Sequence, residues 1–256
     1  MLGLFRRLRR PPASIPDSLW QATRAFVPWL AALDAPREAR LRELSARFLH
    51  EKTITPLGGL ALDDAQRCTL AALCCLPLLE FGAEGLRGWS QLIVYPDAFR
   101  VNRTHVDAAG VLHEWQDELI GEAWDQGPLI LSWADVVADC EDPRAGFCVA
   151  VHEMAHKIDV LDGVLDGTPP LPRPWQREWA RDFQAAYDAL AEQVDAGEDT
   201  AIDGYAAEAP EEFFAVVSEY HFSDPQLLRD TMPAVAAHLQ RMYGTSPFDP
   251  TGLIDR

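Results

Sequence analysis

The stretch Val151-His152-Glu153-Met154-Ala155-His156-Lys157-Ile158-Asp159 decides how the rest of the chain is read. It contains H-E-x-x-H, two histidines four residues apart with a glutamate directly after the first. On a helix, four residues is just over one turn, a rise of about 6 Å. Both imidazoles then leave the same face and can grip one metal ion. Two neutral imidazoles suit zinc, and the glutamate between them is placed to take a proton from a water that the metal activates.

A bare H-E-x-x-H arises by chance, so its flanks matter. Gly146 to Val151 carries no proline or polar cluster, Asp142-Pro143 reads as an N-cap followed by proline at the first helical position, and Gly163 reads as the stop. The expectation is a buried helix of about four turns with the motif in its second half. The alternative is a solvated helix with two ordinary histidines. Val149, Val151, Met154 and Ile158 argue against it, because an imidazole pair and a carboxylate on so apolar a helix are costly to bury without a partner.

The 256 residues are 48% apolar, enough for a real core, and carry a formal charge of -18. Arg6, Arg7, Arg9 and Arg10 lie in a first decade without acids, which leaves -22 on the remainder. So acidic a body repels phosphate backbones, which argues against direct nucleic-acid binding. Cys68, Cys74, Cys75, Cys140 and Cys148 are odd in number and include no C-x-x-C. They read as reduced core thiols of a cytoplasmic protein. No stretch has the length of a membrane span, and the basic start runs into Pro11-Pro12 instead of an apolar signal core. Residues 1–15 are expected to be a loose basic tail, and 16–256 a single unit with no flexible linker.

Residues 16–88 read as a helical layer. Trp20, Phe26, Val27 and Leu30 recur at helical spacing with Pro28 as a break. Pro36 opens a helix with Leu41, Leu44, Phe48 and Leu49 on its apolar stripe, and Asp63 or Asp64 caps a third that Pro77 disturbs. Pro56-Leu57-Gly58-Gly59 reads as a loop. The middle changes character. Gln91 to Tyr95, Phe99 to Arg103, Val111 to Trp115 and Pro128 to Trp133 read as strands, with a turn at Asp107 to Gly110. Together they suggest a small mixed or antiparallel sheet, with Leu129 to Trp133 as an edge on which an extended peptide can pair. Asp162 to Pro170 reads as a loop over the cleft. From Pro174, Trp175, Trp179, Phe183, Tyr187, Leu190 and Val194 form one helix face, a core stripe.

A catalytic zinc needs a third protein ligand. Lys157 to Gly167 contains no histidine, so a downstream carboxylate is expected. Glu208, Glu211, Glu212 and Glu219 cluster around a helix that begins near Pro210, and spacing alone does not choose among them. Asp159 follows His156 by three residues, where it either orients a ligand imidazole or simply ends the helix.

The segments His152-Glu153-Met154-Ala155-His156-Lys157-Ile158-Asp159 and Tyr205-Ala206-Ala207-Glu208-Ala209-Pro210-Glu211-Glu212-Phe213-Phe214-Ala215-Val216-Val217-Ser218-Glu219-Tyr220 together resemble the bacterial Mlc titration factor A family of zinc peptidases. That family is in turn similar to the catalytic domain of anthrax lethal factor. The resemblance extends through Leu92 to Pro96 and Gly127 to Trp133 and covers most of residues 40–225. Arg6 to Pro12 and the residues after Tyr243 do not carry it, and His221 stands where it leads one to expect an aromatic. It implies Glu212 as the third zinc ligand, Glu153 as general base, and Tyr205 facing the reaction centre. It also implies that His113 reaches the metal, which would make a latent form in which a fourth protein ligand holds the water's place. From the residues alone, His113 reads as a strand histidine on a polar face.

The fold implied is α+β and zincin-like: an N-terminal helical layer, a small sheet and an H-E-x-x-H helix, with the catalytic part in residues 89–256. The function implied is that of a zinc metallopeptidase, aminopeptidase-like on small peptides. A rival reading is a regulatory protein that sequesters the repressor Mlc and modulates the sugar phosphotransferase system. A purely structural zinc site ranks last, because Glu153 beside the first ligand has no use there.

Overall fold

The computed structural model of the protein describes residues 13–97 and 127–249. Helix α1 (Asp17–Phe26) gives way at Pro28 to the single turn α2 (Pro28–Ala31). Asp34 caps α3 (Ala35–Glu51) by accepting the Arg37 N–H at 2.9 Å. Leu41, Leu44 and Phe48 are buried as the stripe requires, while Leu49 is half-buried. A capping box between Asp63 and Gln66 starts α4 (Asp64–Cys75), and the short α5 (Leu78–Phe81) follows Pro77. All five cysteines are free and buried.

The described strands β1 (Thr53–Pro56), β2 (Gln91–Tyr95) and β3 (Leu129–Ser132) form a parallel sheet in the order β1-β2-β3. Ile54 lies beside Leu92, and Leu92 beside Leu129. The sheet is therefore neither mixed nor antiparallel over these strands. Between β1 and β2 the chain runs out through α4 and α5, and such a helical crossover brings the next strand back in the same direction. Strand β1 falls partly on what reads as a loop. Pro56 lacks an N–H but sits at the end of an outer strand, where none is required. Arg67 donates to the outward carbonyl of Ile54 at 3.1 Å. Strand β3 stands at the other end of the described sheet. The expected segments Phe99–Arg103, Asp107–Gly110 and Val111–Trp115 lie outside the described residues.

The strand reading of Trp133 is corrected. Ser132 accepts the Asp135 N–H at 3.1 Å, and this cap turns the chain into α6 (Trp133–Glu141). The helix bearing the two histidines, α7 (Val149–Asp159), is shorter than expected and begins later. Asp142 closes α6 instead of opening α7. The start of α7 is set from a distance: the buried Asp139 carboxylate accepts the Val149 N–H at 2.8 Å, and the buried Glu219 carboxylate accepts the Cys148 N–H at 2.6 Å. Carboxylates at a helix N-terminus also complement its dipole. A 3-10 turn, Val160–Asp162, extends α7 and ends on Gly163 in the left-handed conformation, the expected stop.

The remaining described helices are α8 (Arg173–Asp195), α9 (Pro210–Ser223), α10 (Pro225–Thr231) and α11 (Pro233–Tyr243). Helix α9 packs closely on α7, and every residue from Phe213 to Ser223 is buried. The stripe on α8 is core at Trp175, Trp179, Phe183 and Leu190, with Trp179 stacked on Phe183 at 3.8 Å between ring centroids. Val194 departs from the expected stripe and is 37% exposed. His221 is buried with its ring against Phe222 and Tyr243, and burial holds its pKa down at about 4, so it packs as a neutral ring. One hydrophobic cluster joins the helical layer to the later helices, from Ile15 through Leu70 and Val151 to Tyr243.

Gly146 fixes the turn before α7. Its φ is +88°, and a Cβ there would come within 2.9 Å of the Tyr220 ring on α9. Replacing it with alanine adds left-handed strain to a clash with a packed aromatic. Gly146→Ala should destabilise the protein by about 1–3 kcal/mol in chemical denaturation, without shifting the spectrum of the folded state.

Candidate metal centre

The first turns of α9 bring Glu212 against the histidine face of α7. Pro210 occupies the first helical position, where its missing N–H costs nothing, and sets the backbone so that Glu212 comes two residues on. His152 Nε2 and His156 Nε2 are 3.2 Å apart. Glu212 Oε2 lies 3.1 Å from His152 Nε2, and Glu212 Oε1 lies 3.5 Å from His156 Nε2. Tetrahedral zinc with bonds of about 2.0–2.1 Å separates its ligand atoms by about 3.3–3.4 Å. The two ring nitrogens, and each of them with its nearer Glu212 oxygen, therefore stand at about the separation of neighbouring ligand atoms on one zinc ion.

Glu212 Oε2 is buried without a hydrogen-bond partner among the described residues, despite its 3.1 Å approach to His152. Among the described residues, His152, His156 and Glu212 are the group of His, Cys, Asp or Glu side chains whose ligand atoms lie close enough to hold a metal ion. Glu208 and Glu211, both considered from sequence, are not part of it. His113 lies outside the described residues.

Electrostatics asks for positive charge here. Burial disfavours charging His152, but Glu219 and Glu212 outweigh it and push its pKa up to about 10. Burial likewise opposes ionising Glu212, yet the two histidines hold its carboxyl far below the usual range. Two carboxylates facing one buried imidazole demand a cation, which a dication satisfies.

Glu219 proves to be neither a ligand nor a bystander. It is 0% exposed, and its Oε1 lies 2.8 Å from His152 Nδ1, the nitrogen facing away from the centre. A signal for this was present in the sequence. Seven residues separate Glu219 from Glu212, close to two full turns, so both carboxylates share one face of α9.

Asp159 holds a loop. Its Oδ2 accepts the Gly167 N–H at 2.7 Å, and its Oδ1 is buried without a hydrogen-bond partner. Gly167 has φ +77°, and a Cβ there would lie 2.3 Å from the Pro210 carbonyl oxygen. Its own carbonyl accepts the Trp179 indole N–H at 3.3 Å. One glycine thus braces the end of α7, the start of α9 and α8 together, which sets where Glu212 stands relative to the histidines. The aspartates in this loop serve turns: Asp162 accepts the Val164 N–H and Asp166 the Thr168 N–H.

Tyr205 sits in a 3-10 turn, Gly204–Ala207, whose start is fixed by Asp203 accepting the Tyr205 N–H at 2.9 Å. Its ring centroid is 6.2 Å from that of His152. Glu153 is half-buried on α7, and its charge adds to burial in raising the Cys74 thiol pKa. The structure therefore brings His152, His156 and Glu212 together, with the Tyr205 ring beside His152.

Burial pushes the Asp159 pKa up to about 7 from an ordinary 3.8. The folded state then keeps a proton that the unfolded chain gives up, so this group's stabilisation is full below about pH 4 and is lost as pH rises through about 7. Asparagine mimics the protonated carboxyl and does not titrate. In chelator-treated protein, Asp159→Asn should melt several degrees above the parent at pH 8, and the gap should close towards pH 4 in calorimetry.

The sequence matches the model of the family described as glucose-regulated metallo-peptidase M90 over residues 4–244. It is 39% identical over 237 residues to Mlc titration factor A of Enterobacter sp. (strain 638), covering 91% of this chain and 88% of that protein. It is 39% identical over 231 residues to Mlc titration factor A of Cronobacter sakazakii (strain ATCC BAA-894), covering 89% and 86%. The protein of that name from Yersinia pestis (strain Pestoides F) is 38% identical over 224 residues, covering 86% and 82%. The chain belongs to the glucose-regulated metallo-peptidase M90 family, and its candidate metal-ligand triad lies between two packed helices.

Proposed function

We propose that this metallopeptidase is a zinc enzyme that hydrolyses small peptides in an aminopeptidase-like way. His152, His156 and Glu212 would hold the zinc, Glu153 would act as general base, and Tyr205 would stabilise the oxyanion. The observation that carries the reading is the close approach of the His152 and His156 Nε2 atoms, 3.2 Å apart, to the two Glu212 oxygens at 3.1 and 3.5 Å, with Glu153 next to His152 in the sequence.

Zinc bound by these residues supplies Lewis acidity to the attacking water and to the scissile carbonyl. The side chains do the rest. Glu153 accepts the proton of the attacking water and returns it to the leaving amine. Tyr205, held by Asp203 on the His152 side of the centre, donates its phenolic O–H to the oxygen that gains charge. Strand β3 stands at one end of the described sheet and packs against α7, so an extended peptide paired along it would pass the histidines.

A second reading is favoured by the name that the relatives share, Mlc titration factor A. On that reading the chain binds an Mlc-like repressor in the cytoplasm and so modulates the sugar phosphotransferase system, with or without turnover at the zinc. Among the described residues no helix is long and apolar enough to cross a membrane.

Hydrolysis of alanyl and other aminoacyl nitroanilides by zinc-loaded protein tests the first reading. Glu153→Gln should keep its zinc and lose about 10²–10⁴-fold in kcat, and Tyr205→Phe about 10²–10³-fold. Full activity in the zinc-loaded Glu153→Gln protein would remove the general-base assignment. If the parent holds zinc and cleaves nothing, while calorimetry shows it binding a purified Mlc-like repressor, the second reading replaces the first.

A further inference from the structure

The contacts of Glu219 go beyond helping one ligand. Its carboxylate is wholly buried, and burying such a charge is costly unless both oxygens are engaged. They are: Oε1 lies 2.8 Å from His152 Nδ1, and Oε2 accepts the Cys148 backbone N–H at 2.6 Å. Cys148 is four residues before His152, one helical turn, and the His152 N–H in turn donates to the Cys148 carbonyl at 3.0 Å. An ionised carboxylate only accepts hydrogen bonds, so Nδ1 must carry a proton and Nε2 is the nitrogen left for a metal. The ring and the first turn of α7 are thus referenced to one group on α9. Among the described residues His156 has no matching hold, since no hydrogen-bond partner there meets its buried Nδ1.

Building on the metal reading above, we propose that Glu219 is the positioning residue of the centre. It sets the proton and the plane of His152 before metal arrives, and it ties both to the start of the helix that carries the ligands. Glutamine at this place cannot do the same. If its amide N–H₂ faces Nδ1, the proton moves to Nε2 and blocks the metal. If it faces Cys148, two donors oppose each other and the first turn of α7 loses its acceptor.

The test is zinc affinity, read by competition with a chromophoric chelator on folded protein. The set is the parent, Glu219→Gln, His152→Ala and the double variant, with the melting temperature of each metal-free form. The expected result is a zinc Kd raised about 10–100-fold by Glu219→Gln, with no further rise when the same change is added to His152→Ala. A Kd within twofold of the parent, even with a lower melting temperature, would reduce Glu219 to a helix cap and overturn the proposal. So would an equal loss in the His152→Ala background, because the effect would then not run through His152. Should Glu219→Gln fail to fold, Glu219→Asp carries the same comparison, since a carboxylate one methylene shorter cannot reach both partners. A parent protein that takes up no zinc would bring down the metal reading, and this inference with it.

Discussion

Two carboxylates of α9, Glu212 and Glu219, flank one imidazole of α7 at its two nitrogens, at 3.1 and 2.8 Å. Much of the surrounding architecture serves to make that buried contact tolerable. Four ionisable groups, counting His156, meet where α7 and α9 pack, and a buried charge without a partner is among the most expensive things a fold can contain. The helices can only meet there if their termini are placed within fractions of an ångström. The start of α7 is therefore set by Asp139 and Glu219, and its end by Asp159, all three buried.

The loop after α7 shows the same economy. Gly167 touches Asp159, Pro210 and Trp179, which belong to or border three different helices. Its left-handed backbone and missing Cβ allow an approach that no other residue could make. Glu212 is positioned only two residues beyond Pro210, so its carboxylate inherits the accuracy of that approach. The aromatic stack of Trp179 and Phe183 against Phe213 and Phe214 stiffens the outer side of α9. The spacing of His152, His156 and Glu212 is set by packed aromatic surface on one side and by buried hydrogen bonds on the other.

Where sequence reading fell short, the cause was contact between distant residues. Local signals were reliable when the chemistry was local: the Asp34 and Asp63 caps, the break at Pro28, the stop at Gly163, and strand β2 closed before Pro96. Asp142-Pro143 looked like a helix start because such pairs usually are, yet the acceptors that start α7 come from residues 10 and 71 positions away along the chain. The parallel pairing of the three described strands was hidden for a related reason. Short apolar runs do not say which way they pair, and the parallel order followed from helices that lie between them.

By itself the sequence determined the two histidines on one helical face, the glutamate between them, and a small set of carboxylates from which the third ligand must come. Helical periodicity and the coordination chemistry of zinc suffice for that, because both act over one or two turns. Only the tertiary structure decided that Glu212 faces the centre while Glu219, two turns further on, backs the His152 ring, and that Asp159 holds a loop. Those roles depend on how α7, α9 and the Gly167 loop lie against one another. Spacing along one helix places a side chain on a face, but the neighbouring element decides what that face meets.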